Sequence, residues 1–424
     1  MNISAGQVPS GFAQDRRHWM PLALNGPVCP ISFIASWRVA AMPSVFDLFR
    51  KFFRLGLTAF GGPAMVSYIK ELSVKKNKWL DEETFKNGVI ICQTIPGATA
   101  MQLSAYVGLK TRGIKGVLAT YIGFGLPAFV FMLILSYLYV RYHGINQVAS
   151  LFGGLAVIVV AIVANATYSY GRGAVKNYQE LFIASGAAVL FWIGVSPFLV
   201  IIIAALTGLV LFRKDKPVSS VTPHNKTMTS LRYEHVGLLF ILLFAGLAGL
   251  YFTNAKLFNL AGLMLKIDTF AFGGGFASLP LMLHEIVSVK GWMDNKTFMD
   301  GIALGQITPG PIVITATFVG FIIYGIIGAI VATIAVFTPS FLILVLVTPF
   351  FDRLKGSVWF SRATKGILAS FVGLLFFVMV KFALAVPWDV VKVLLGLAAL
   401  TALIKKVDVL YIVLIGAAIS LFLF

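Results

Sequence analysis

Two phrases in this chain set helix-breaking residues beside hydrogen-bond donors. Gln93, Pro96 and Gly97 recur as Gln306, Pro309 and Gly310 at a constant offset of 213, with Gln102 following the first copy and Thr308 and Thr315 flanking the second. Proline lacks an amide hydrogen and its ring clashes with the preceding turn, so a helix unwinds or kinks at each phrase. Both phrases lie within apolar stretches. Irregular backbone at bilayer depth is tolerated where it lines a cavity or is buried in protein. Neutral Gln and Thr donors beside such a break suit an anion. A packing kink leaves the same trace in one copy, and the recurrence favours a binding site.

A second phrase, AFGG, occurs at 59–62 and again at 271–274, 212 positions later. Glycine costs roughly 1 kcal/mol in a helix interior relative to alanine, so its placement calls for a reason. Gly61 and Gly62, and Gly273, Gly274 and Gly275, would allow close backbone approach and present N–H groups to an oxyanion. Close helix packing of the GxxxG kind is the competing explanation. Arg54 and Lys266 hold equivalent positions ahead of the two copies and are candidates for attracting an anion, although either can snorkel to an interface. Asp268 is an acid within an apolar run, which makes it a candidate proton site, as is Glu285 beside His284. Lys381 reads as a snorkelling residue.

The chain contains no phosphate-binding loop, dinucleotide fingerprint, HExxH motif or nucleophile with base and orienter. Its two cysteines, Cys29 and Cys92, have no metal or redox spacing. The expectation is a protein that is not an enzyme and carries no cofactor or metal.

The elements that must position these residues follow from composition. Of 424 residues 59% are hydrophobic and 12% charged, about half the charge of an ordinary soluble protein. Apolar runs long enough to cross a ~30 Å hydrocarbon core recur along the chain. The reading is an all-α polytopic membrane protein with thirteen crossings, near 50–69, 87–107, 116–140, 147–170, 180–194, 196–212, 236–252, 258–283, 299–324, 327–350, 366–385, 390–404 and 409–424. The net charge of +18 reads as lysine and arginine retained in cytoplasmic loops and touching anionic lipid, not as a nucleic-acid surface.

Further matches make the two halves repeats. Trp79 and Asp81 answer Trp292 and Asp294, and Gly108, Gly113, Gly116 and Pro127 answer Gly320, Gly325, Gly328 and Pro339. The expected organisation is an extension over 1–45, read as disordered, with Met42 as an alternative start. A first repeat follows over 46–212, a polar cytoplasmic linker over 213–235, an orientation-inverting helix over 236–252 and a second repeat over 253–424. Loop charges point to inversion. Lys110, Arg112 and Lys115 in the first half face an uncharged counterpart at 320–328, while 351–365 in the second half carries Arg353, Lys355, Arg362 and Lys365. This places the N-terminus in the cytoplasm and the C-terminus outside. The five lysines of 70–86 then fall on the wrong side; re-entrant AFGG segments would move them inside and make the halves parallel. Inverted repeats with broken helices are the architecture of many secondary transporters.

The strings AFGGP at 59–63, CQTIPG at 92–97, FGGGFASLPLMLHE at 272–285 and GIALGQITPGPIVITATFVG at 301–320 resemble the chromate ion transporter family in its long two-domain form. The resemblance covers about 50–424 and implies a multi-pass inner-membrane protein with antiparallel halves that exports chromate and confers chromate resistance. Transport of another oxyanion such as sulfate, or a passive anion channel, are the alternatives. Expected partners are chromate or a related oxyanion and the lipid bilayer, without nucleic acid, and a homodimer is allowed. The chain departs from the family pattern at Val66, where a histidine is usual, and at Ala98, where the PG phrase usually continues with proline.

Overall fold

The computed structural model describes residues 43–60, 64–214, 233–351, 354 and 356–423. The expected extension over 1–45 lies almost wholly, and the linker over 213–235 mostly, outside the described residues, as do Gly61 and Gly62. Everything described is helix, turn or short connection, so the all-helical expectation holds.

The first repeat opens with α1 (Val45–Thr58) and α2 (Ala64–Lys70), the latter continuing as a π-helical turn over Glu71–Lys76. Next come α3 (Glu82–Thr94), α4 (Thr99–Tyr142), α5 (Asn146–Ala174), α6 (Tyr178–Trp192) and α7 (Pro197–Leu211). After α8 (Tyr233–Thr253), the second repeat runs through α9 (Ala255–Phe270) and α10 (Ser278–Met282), again continuing into a π-turn, Leu283–Val289. It closes with α11 (Asn295–Ile307), α12 (Thr315–Val347), α13 (Val358–Ala385), α14 (Val390–Ile404) and α15 (Val409–Leu423). The two series correspond element by element.

Four of the expected crossings are not single helices. Over 87–107, α3 and the first part of α4 fold back on each other at Pro96–Gly97. The Tyr106 hydroxyl donates to the Thr84 carbonyl at 3.2 Å, and the Tyr106 ring lies against Gly88. Over 299–324, α11 and the start of α12 fold back at Pro309–Gly310, with the Phe318 ring against Gly301. Each arm is short, and the start of the first arm in each hairpin is fixed by an aspartate cap. Thr84 N–H donates to Asp81 and Thr297 N–H to Asp294, both at 2.7 Å. The segment at 50–69 also turns back. Lys51 Nζ donates to Asn77 Oδ1 at 2.7 Å and Phe52 stacks on Trp79, so α2 and its π-turn return beside α1. In the second half the same return brings Lys266 of α9 to Glu285. The length of an apolar run cannot separate two short apolar arms from one long helix, which is why these hairpins read as crossings.

A second reversal divides α4 and α12. Arg112–Gly113 and Tyr324–Gly325 leave helical geometry, with the glycines at φ +59° and +60°. The chain doubles back so closely that Gly108 faces the carbonyl of Gly116, and Gly320 that of Gly328. Among the described residues, four helices are long and apolar enough to cross a membrane, and they pair by repeat: α4 with α12, and α5 with α13. The shorter apolar helices α6, α7, α14 and α15 pack across the halves. Helix α13 lies on α6 and α7, while its counterpart α5 lies on α14 and α15. Small residues permit this closeness, as where Gly366 of α13 meets the backbone of Ala204 and Gly208 in α7. The two repeats are interleaved, not side by side.

Candidate functional site

The AFGG and PG phrases meet, but each meets the phrase of the other repeat. Gly97 N–H donates to the Ala271 carbonyl at 2.9 Å, and Gly310 N–H donates to the Ala59 carbonyl at 3.0 Å. Pro96 and Phe272 also pair as an isolated antiparallel bridge. Both tip glycines have positive φ, +119° at Gly97 and +116° at Gly310, which a side chain would strain. A Cβ on Gly97 would strike the Ser340 hydroxyl, and one on Gly310 would strike Ala128. The interior at the crossing of the repeats is therefore built from four broken segments, as expected of a transporter with discontinuous helices.

Around the first tip the surroundings are polar. Asp268, at the end of α9 and fully buried, accepts through Oδ2 from the Ser340 amide at 2.7 Å and the Ser340 hydroxyl at 2.6 Å. Pro339 explains the available amide, because a proline within α12 disrupts the helical hydrogen bonds around it. Ser340 Oγ in turn accepts from the Ala98 amide at 2.9 Å. Gln102, also fully buried, donates through Nε2 to the Pro96 carbonyl at 2.5 Å. Two acceptor atoms here, Asp268 Oδ1 and Gln102 Oε1, are buried without a hydrogen-bond partner. The second tip has none of this. Gly56 and Ala128 stand where the other half has Asp268 and Ser340.

The glycines of the second AFGG are shaped for close approach. Gly273 and Gly274 have φ of +97° and +94°, and Gly274 abuts Thr99 at the start of α4. The Tyr170 hydroxyl of α5 donates to the Gly273 carbonyl. Among the described residues, no backbone carbonyl accepts from the Gly273 or Gly274 amide. Gly275 begins a short 3-10 turn packed near Ile312 and Val313 of the opposite tip.

The remaining expected residues are distributed unevenly. Gln306 is buried with its Nε2 unsatisfied, while its counterpart Gln93 is exposed. The hydroxyls of Thr308 and Thr315 are buried and donate to their own helical turns, to Leu304 and Ile312 at 2.9 Å each. Lys266 pairs with Glu285 at 2.6 Å and lies over the Phe198 ring. Arg54 is exposed and forms no ion pair among the described residues. The symmetric charge pair of the sequence is therefore one neutralised lysine and one exposed arginine. Glu285 and Asp268, grouped in the sequence as proton candidates, stand apart, one with a cation and one without.

Sequence reasoning did not single out Ser340, Tyr170 or the pair Tyr139–Asp300, in which the tyrosine hydroxyl donates to Asp300 Oδ2 at 2.9 Å and Oδ1 is left unpartnered. Asp300 carried the usable signal, being an acid inside the expected crossing 299–324. No group of three or more metal-ligating side chains occurs among the described residues. A cavity of about 920 Å³ lies between equivalent faces of α4 (Leu118, Ile122, Leu126) and α12 (Ile330, Ile334, Thr338), next to α8. Its lining is apolar and does not suit an oxyanion.

Comparison with known proteins agrees with this duplicated plan. The chain is 43% identical over 381 residues to an uncharacterized transporter of Methanocaldococcus jannaschii, covering 89% of this chain and 94% of that one. It is 30% identical over 361 residues to a probable chromate transport protein of Synechococcus elongatus, covering 84% and 89% of the two chains. Against a chromate transport protein of Cupriavidus metallidurans the identity is 28% over 405 residues, covering 90% and 94%. No solved structure matches the chain. The chromate transporter family model matches twice, at residues 46–209 and 258–421, one match per repeat, so this duplicated helical membrane protein belongs to the chromate transporter family.

Proposed function

We propose that the chain is a secondary transporter that exports chromate from the cytoplasm across the inner membrane and so confers chromate resistance. The observation that carries this reading is the reciprocal crossing of Gly97 onto Ala271 and Gly310 onto Ala59. It gives one interior site bounded by both repeats, which is what alternating access between two repeats requires. The names of the Synechococcus and Cupriavidus relatives support chromate as cargo.

Substrate is assigned to the second AFGG and the two tips. The amides of Gly273 and Gly274, Gln306, Thr308, Pro309, Gly310 and Thr315 form one side. Gln93, Pro96 and Gly97 form the other, while Gly61 and Gly62, named from the sequence, lie outside the described residues. Stripping a dianion of water is costly, and the donors left open, the Gly273 and Gly274 amides and Gln306 Nε2, offset that cost. Arg54 and Lys266 attract the anion toward this region.

The orientation is N-terminus inside and C-terminus outside. The hairpins at 50–76 and 82–111 remove two of the six expected crossings in the first half, which leaves an even number. Both hairpin bases lie at one end, since Arg112 Nε donates to the Pro43 carbonyl at 2.7 Å. The lysines of 70–86 thereby join Lys110, Arg112 and Lys115 on the cytoplasmic side. Folding back does not make the halves parallel, because both hairpins of a half fold back together.

Everted membrane vesicles test the proposal. Labelled chromate should accumulate saturably, with pH gradient and potential imposed separately. Preference for sulfate in competition would reassign the cargo, flux without saturation or counterflow would make the chain a channel, and absence of flux would reject transport.

A further inference from the structure

The two tips differ in one respect that symmetry does not require: among the described residues an ionisable group holds the first and none holds the second. Asp268 is 0% exposed and its Oδ1 has no partner. Its Oδ2 takes both donors of Ser340, whose Oγ takes the Ala98 amide of the first tip. The tip thus hangs on the carboxylate through a chain of three hydrogen bonds. No cation offsets the charge among the described residues. On α9 itself Lys266 is turned to Glu285. From α4 the facing group is Tyr121, whose hydroxyl donates to the Phe337 carbonyl at 2.6 Å; α12 presents Ser340. Of the neighbours on the turn after α10, Glu285 is engaged with Lys266 and His284 lies against Phe191. A carboxylate at this depth without a counter-ion is expensive, and such residues mark ion pathways.

We propose that Asp268 is a proton-binding site that couples proton movement to release of the first tip. A proton on Oδ1 needs a single acceptor, which is what the site leaves open, whereas sodium would need several oxygens at once. With the carboxylate charged, Ser340 donates to Asp268 and keeps a lone pair for Ala98, so the tip is docked. Protonation weakens Asp268 as an acceptor, frees Ser340 to turn, and loosens Ala98 and Gly97 from the second repeat. The second tip, lying over Ala128 with Gly56 in place of the acid, stays fixed through the same change. The site stands on its own geometry; its use in coupling rests on the transport reading above.

Two measurements decide it. Infrared titration of purified protein should show a buried carboxyl band that appears on acidification, is absent in Asp268→Asn, and persists in Asp300→Asn and Glu285→Gln. Absence of such a band in wild type, or its survival in Asp268→Asn, would overturn the assignment. If Asp268→Asn does not fold, Ser340→Ala serves instead. It retains the acid and should move the midpoint of the band, and an unmoved midpoint counts against the site. In vesicles, Asp268→Asn should lose flux driven by a pH gradient while keeping chromate–chromate exchange. Retained response to the pH gradient, or a sodium gradient substituting for it in wild type, would defeat proton coupling. A wild type that moves no chromate would reject the proposed function, and the infrared titration would still decide the site.

Discussion

The amide of Gly97 is bonded to the carbonyl of Ala271 at 2.9 Å, so the tip of a hairpin in one repeat is completed by the broken helix of the other. The reciprocal bond from Gly310 to Ala59 makes the arrangement two-fold in backbone. The side chains around it are not two-fold.

Replacing the tip glycines should damage the protein unequally. Gly97→Ala forces a side chain into positive φ and against the Ser340 hydroxyl, whereas Gly310→Ala meets the methyl of Ala128. Backbone strain of this kind costs about 1–3 kcal/mol. Both variants should melt earlier in detergent than wild type, and Gly97→Ala should also lose flux by breaking the acid-linked tip. Gly144→Ala, in open space, should match wild type in both assays.

Hairpin packing offers a test by compensation. A Cβ on Gly301 would lie 2.4 Å from the Phe318 ring, closer than real contacts allow. Gly301→Ala should therefore destabilise by roughly 1–3 kcal/mol, as overpacking does. Adding Phe318→Leu should restore much of the loss in thermal stability. Additive damage in the double variant would mean that the ring is not what the glycine accommodates.

Charge should be more dispensable at Arg54 than at Lys266. Removing Lys266 leaves Glu285, 7% exposed, without its partner. Lys266→Gln should lower membrane yield and flux, and Glu285→Gln on top of it should restore yield. The pair is half open on the lysine side, so its coupling in a double-mutant cycle should be about 1 kcal/mol. Arg54→Gln combined with Lys266→Gln should abolish chromate resistance even where expression is raised to match the wild-type membrane yield. Full resistance in that variant would remove both charges from substrate attraction.

The hairpin caps should show a defined pH dependence. The Thr297 amide bonded to Asp294 holds its carboxyl below the usual carboxylate range, and Thr84 does the same for Asp81. A depressed value means that the charged form stabilises the fold above the unfolded value of 3.8, and that this contribution fades as pH falls below it. Asp294→Ala should cost about 1 kcal/mol near neutrality. Its deficit against wild type in thermal unfolding should shrink in acid, and a deficit independent of pH would point to lost packing instead.

How much of this was legible before the structure differs by residue. Pro96 and Pro309 announced their breaks, because a missing amide is written in the sequence itself. The repeat was equally plain, since Trp79, Asp81, Gly113 and Pro127 keep register with Trp292, Asp294, Gly325 and Pro339. That the breaks are tips was not visible, because hydropathy counts apolar residues and is blind to the chain doubling back. Asp268 stood out as a lone acid, yet its partner Ser340 lies 72 residues away and is selected by the crossing of repeats. The asymmetry was in fact present in the letters, as Gly56 against Asp268 and Ala128 against Ser340, once the halves are aligned.

The exchange of tips also sets an order for biogenesis. When Gly97 leaves the ribosome, the carbonyl that will receive its amide does not yet exist. At about 5–20 residues per second, Ala271 follows roughly 10–35 s later. For that interval the first repeat sits in the bilayer with an unmatched amide at Gly97, and with Ala98 still lacking Ser340. The newborn N-terminal half is thus an incomplete object that the C-terminal half closes, and truncation within the second repeat should expose the first to membrane quality-control proteases.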